Sequence, residues 1–104
     1  MYTNETTLIG FIRPPENPEP YLIEFEGRAI VSIETIIETG CRAELHIPIF
    51  LTGETIEVAQ NWLRARPRGF HARTQSTLVI HKGKPHAVVN YVQAREDRNW
   101  QVFE

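Results

Sequence analysis

The sequence predicts a mainly β, single-domain fold with one helix set among its strands. Three observations carry this. Runs of β-branched and aromatic residues, separated by Gly and Pro, read as strands. The apolar period switches once to that of a helix, in "ETIEVAQNWLRAR" at 54–66, and then switches back. The length of 104 residues suits one domain with a small core.

"TTLIGFIR" (6–13) reads as the first strand. "PPENPEP" (14–20) holds four of the seven prolines and must be an extended loop, because proline lacks the amide donor that a ladder needs. "YLIEF" (21–25) is a candidate short strand, and Gly27 supplies a turn or a bulge after it. "RAIVSIETII" (28–37) is a strand rich in Ile, Val and Thr, and "ETGC" (38–41) turns at Gly40. "AELHIPIFL" (43–51) places Ala43, Leu45, Ile47, Ile49 and Leu51 on one side and Glu44, His46, Pro48 and Phe50 on the other. That is a strand with one buried face. Pro48 marks an edge or a bulge.

In the helical stretch Ile56, Ala59 and Leu63 share a face, flanked by Val58 and Trp62. Glu54 and Glu57 in the first turn and Arg64 and Arg66 in the last suit the helix dipole. Pro67 and Gly69 end it. "FHARTQSTLVIH" (70–81) is the next strand, "KGKP" (82–85) a tight turn, and "HAVVNYVQA" (86–94) the last strand. Residues 1–95 are expected to form the domain and 96–104 a C-terminal tail.

This order, three or four strands, a helix and two more strands, is the plan of a five-stranded OB-fold Greek-key barrel with one helix between strands 3 and 4. Small α+β sandwiches share it.

Charge is uneven. Residues 1–52 carry three Arg and eight Glu, and residues 53–104 carry eight Lys or Arg against five Asp or Glu, for a net charge of −2. A basic face for a polyanion fits this asymmetry, and so does a charge imbalance along the chain that makes no face in space. Cys41 is alone, so no internal disulfide forms. The chain shows no secretory signal and no apolar run of membrane-spanning length, so a cytoplasmic protein is expected, with no membrane partner.

The chain resembles the bacterial single-stranded-DNA-binding protein and its shorter relative, the primosomal replication protein N. "NETTLIGFI" (4–12) is similar to that family's first strand. "RAELHIPIF" (42–50) is similar to its third, and "GETIEVAQNWLRARPRG" (53–69) to its helix. The likeness covers about residues 4 to 94. It implies the OB-fold, single-stranded DNA binding in replication, repair or recombination, and no enzymatic activity. Departures are visible. Leu45 and Leu51 stand where the family has aromatic stackers, "ARTQS" replaces a mid-strand Gly, and the turn "HKGKPH" is short. No Gly/Gln/Pro-rich linker or acidic C-terminal tip is present.

Single-stranded DNA needs cations for phosphates and flat faces for bases. Arg13, Arg28, Arg73, Lys82, Lys84 and Tyr91 are the candidate nucleic-acid-binding residues. Arg64, Arg66 and Arg68 read better as a solvated helix end. Tyr91 either stacks a base or joins a wall or an interface. Trp62 reads as core, and Trp100 and Phe103 either pack across an interface, serve as a docking peptide or belong to a disordered tail. With two stackers aliphatic, weak binding directed mainly at phosphates is expected.

His46, His71, His81 and His86 form no compact ligand pattern, so no metal or other cofactor is expected. No phosphate loop, nucleophile elbow or glycine fingerprint appears, and no catalytic residue is assigned. Expected partners are single-stranded DNA, further copies of the chain (a dimer, with a tetramer as the alternative) and replication or repair proteins. The competing reading is an oligomeric OB-like protein-interaction module that does not bind DNA.

Overall fold

The computed structural model describes residues 5–25, 27–40 and 45–95. Among them are six strands and one helix: β1 (Glu5–Ile12), β2 (Tyr21–Phe25), β3 (Arg28–Thr39), β4 (Leu45–Thr52), α1 (Glu54–Ala65), β5 (Phe70–His81) and β6 (Lys84–Ala94). The expected count was five, with the helix between strands 3 and 4. The sixth strand is β2, so the helix lies between β4 and β5. The reason is local: Gly27 takes a positive φ of 73° and folds Tyr21–Phe25 back onto Arg28–Ser32 as an antiparallel hairpin.

The other five strands close a ring. β1 pairs with β5 along its whole length and with β3 at Phe11 and Ile12. β3 pairs with β4, β4 runs parallel to β6 at Ile49–Leu51, and β6 pairs with β5. Gly10 makes the β1–β3 junction possible, because a β-carbon there would overlap the carbonyl oxygen of Glu38.

Ile12, Ile33, Ile37, Ile49, Leu51 and Val89 fill the interior. Helix α1 covers one end, burying Ile56 and Ala59 and packing Trp62 and Leu63 against the same core. It ends at Ala65, one residue earlier than the sequence suggests, because Arg66 has left helical geometry at φ −134°, ψ 80°. Thr74 and Ser76, buried on β5, donate their hydroxyls to the carbonyls of Leu8 and Thr6.

The turn after β5 is also tighter than the expected 82–85. Lys82 and Gly83 both have positive φ, 52° and 79°, the pattern of a two-residue hairpin, so pairing resumes at Lys84. Farther along, Gln75 pairs with Tyr91 but Ser76 with Val89, which leaves Asn90 as an extra residue in β6. Such a bulge bends its strand and increases the twist. Beyond it the hairpin curls over the outside of the barrel.

A second cluster forms there: Ile23, Phe50, Val79 and Val88, with Tyr21, Phe25 and Ile30 packed against it. This corrects the expectation that β4 buries one face. Its inward side carries Ile49 and Leu51, and its outward Phe50 is buried as well. No helix among the described residues is long and apolar enough to cross a membrane.

Candidate nucleic-acid interface

β5 has no extra residue of its own, so His71, Arg73, Gln75, Thr77, Val79 and His81 share its outer side, although beyond Thr77 the burial reverses and Val79 is buried while Leu78 and Ile80 are exposed. From Arg73 onward their partners on β6 are Gln93, Tyr91, Val88, His86 and Lys84, which share that outer face on either side of the bulge. The outer ridge they form is interrupted, because Val79, His86 and Val88 in its middle are buried. Arg73 and Tyr91 stand near one end and Lys82 and Lys84 at the other, roughly 26 Å apart at ~3.3 Å per residue.

The six predicted residues are therefore not one cluster. Arg73 donates through Nη2 to Gln93 Oε1 at 2.5 Å and is paired in register with Ile9 of β1. Tyr91 is 51% exposed, so its ring has an open face. Lys82 and Lys84 project from the hairpin tip and are exposed. Arg28 is exposed where β3 leaves the Gly27 turn, on a different hairpin. Arg13 is engaged elsewhere: its guanidinium pairs with the Glu38 carboxylate on β3. That hydrogen bond, more than any other influence, holds the Glu38 carboxyl below its ordinary value.

The outer face of β3 is acidic. Glu38 and Glu34 point outward opposite His46 and Phe50, and His46 Nε2 lies 3.5 Å from Glu38. Tyr21 donates its hydroxyl to Glu34 Oε2 at 3.0 Å. Burial first, and then this carboxylate, push the phenol up to about 12. A cleft beside these groups is lined by Pro14, Pro15, Glu16, Tyr21, Glu34 and Ile36. Carboxylates thus gather on this face, whereas Arg73, Lys82 and Lys84 stand on the β5–β6 side.

The aromatic positions also differ from expectation. Leu51 lies on the inward side of β4, opposite Ile33 and buried in the core, so it is no stacking position. Leu45 shares the parity of Leu51 but lies at the start of β4, 60% exposed and outside the core. The outward residue is Phe50, only 1% exposed. His86 stacks on its ring with centroids 4.9 Å apart and planes at 10°, and His81 meets it edge-on at 5.1 Å. This three-ring group was not singled out from the sequence. The alternation in 43–51 did put Phe50 on the outward side, but no sequence signal shows that two histidines cover it.

Trp62 packs on the core and against Phe70, and the Arg66 guanidinium lies over its ring at 5.4 Å. Arg64 donates to Asn61. His71 meets Phe11 edge-on at 5.0 Å, and burial, followed by Arg95 and Arg66, lowers its pKa. Among the described residues no group of three or more His, Cys, Asp or Glu side chains is placed to hold a metal ion. Cys41, Trp100 and Phe103 lie outside the described residues.

No protein-family model matches the sequence, and no curated protein does. Solved structures do match. The SSB domain of a Synechococcus protein superposes with a TM-score of 0.59 at 15% identity, over 89% of this chain and 97% of that one. The chain has the OB-fold of the SSB and PriB proteins. The dimeric N-terminal domain of PriB from Thermoanaerobacter tencongensis matches at TM-score 0.53 and 12% identity, over 90% of this chain and 98% of that one. A mitochondrial single-stranded-DNA-binding protein from S. cerevisiae matches at 0.56 and 11%, over 93% and 98%.

Proposed function

We propose that this domain binds single-stranded DNA with little sequence preference, mainly through phosphates, and serves replication, repair or recombination. The observation that supports this most is the outer ridge of β5–β6, with cations at both ends and the open ring of Tyr91 beside Arg73. Phosphates on Lys82, Lys84 and Arg73 supply a charge term, and Tyr91 offers a base one π-face. No catalytic step belongs to this reading. Residues 1–95 are the binding unit and 96–104 its tail, in the cytoplasm.

The working form is a homodimer. β1 has an edge that pairs with β3 only at Phe11 and Ile12, beside an Ile9 that is 51% exposed. A second copy covers such an edge. Replication or repair proteins are the further partners.

A gel shift with a long single-stranded oligonucleotide at two salt concentrations tests the proposal. Binding that weakens sharply with salt supports it. No binding at low salt rejects it. In that event the acidic face of Glu34, Glu38 and Tyr21 favours the second reading, a protein-interaction module that docks a basic partner there.

A further inference from the structure

We propose that the apolar pocket between the proline loop and helix α1 binds a segment of a partner protein, taking a bulky apolar side chain whose neighbouring carboxylate pairs with Arg64. The inference stands apart from the DNA-binding reading, because none of the residues that line this pocket is among the proposed DNA contacts.

"PPENPEP" at 14–20 contributes no strand. Its prolines have a place instead. Pro14, Pro15 and Pro18 line a pocket of about 460 Å³, and Pro67, just past the helix, lines it too. Proline has a fixed φ and no side-chain freedom to lose, so such walls are shaped before a ligand arrives. Ile33, Leu51 and Ala59 also line the pocket, each only 1% exposed, and so make its floor. The volume lies within the range of about 300–1,000 Å³ that ligand pockets occupy.

The polar groups are few. Gln60 is half-buried and can bond to a peptide main chain. Arg64 is exposed and gives Nη1 to Asn61 Oδ1 at 2.7 Å, which steadies the guanidinium and leaves its fork other donors for a carboxylate.

Two observations select the occupant. Among the described residues that line the pocket none is aromatic, so a nucleobase finds no ring to stack on, whereas a leucine or phenylalanine side chain finds aliphatic walls. None of them is a carboxylate either, and their one charge is Arg64. The carboxylates of Glu16 and Glu34 stand in the neighbouring cleft, which shares only Pro14 and Pro15 with this pocket. The proline loop thus parts a cationic site from an acidic one, and a segment that carries a carboxylate beside its apolar anchor is complementary to the Arg64 side.

The probes are two blocked peptides, Asp-Leu-Phe-Asp and Lys-Leu-Phe-Lys, titrated into the isotope-labelled full chain at one low salt concentration. The amide signals of Gln60, Leu63 and Arg64 are expected to shift with the acidic peptide, which binds roughly three- to tenfold tighter than the basic one. Arg64→Glu, a change at an exposed position whose fold is checked by circular dichroism, is expected to reverse that preference. Equal affinities, pocket signals that stay in place at millimolar peptide, or an unaltered preference in a folded Arg64→Glu overturn the proposal.

The titration is repeated with saturating oligothymidylate. The pocket is expected to take the acidic peptide as before. Displacement of the peptide by the oligonucleotide overturns the proposal, since the pocket would then lie on the DNA path. A chain that binds the acidic peptide at the pocket but no oligonucleotide supports this inference and overturns the DNA reading alone.

Discussion

Gly10 on β1 lies so close to the main chain of Glu38 on β3 that a β-carbon would overlap the Glu38 carbonyl oxygen. The barrel closes at this contact, where β1 and β3 share only two paired positions. The same junction sets the electrostatics of the outer face. It brings Arg13, at the end of β1, onto the Glu38 carboxylate. One candidate cation is thereby partly neutralised, and β3 keeps an acidic exterior through Glu34.

Gly10→Ala is expected to destabilise the domain. The nearest atoms belong to backbone, which cannot rotate away. Overpacking of this kind costs about 3 kcal/mol. For a domain of this size that lowers Tm by roughly 12–24 °C. A thermal melt measures it, and an unchanged Tm would show that β1 and β3 separate without cost.

Replacing Arg73, Lys82 and Lys84 together by neutral residues is expected to flatten the salt dependence of DNA binding. Each phosphate that is no longer neutralised takes about 0.7 from the slope of log K against log salt on a single strand. Tyr91→Ala is expected to weaken binding by about 1–3 kcal/mol with that slope nearly unchanged. Fluorescence titrations at several salt concentrations separate the two effects. A triple variant with the wild-type slope would exclude the ridge as the phosphate track.

Tyr21 ionises late, with its phenol raised from 10.0 to about 12 by burial and by the adjacent Glu34 carboxylate. A raised pKa means that the folded state favours the protonated phenol. Its contribution to stability is complete below pH 10 and is lost as pH rises through about 12. A tyrosinate absorbance step near pH 12 is expected in the wild type and absent from Tyr21→Phe. If the step persists in that variant, the Tyr21–Glu34 contact does not control it.

Self-association is expected at tens of micromolar protein (roughly the weak-association regime), and Ile9→Lys is expected to shift the chain toward monomer. A charge on an exposed edge strand is a known barrier to pairing. Light scattering that gives a monomer for the wild type would reject the dimer.

Local patterns in the sequence determined much of this protein. The helix at 54–65, the long strands β3 and β5 and the tight hairpin at Gly83 each follow from periodicity or turn chemistry that a few neighbouring residues express. The cations and Tyr91 were legible as residue types. Only the tertiary structure decided how they are used. It put Arg13 onto Glu38 and turned Leu51 into the core. It also folded His86 over Phe50. The physical reason is that a period reports which side chains share a face. Which faces become covered depends on ring closure, strand twist and one extra residue at Asn90, and these join segments far apart in the chain.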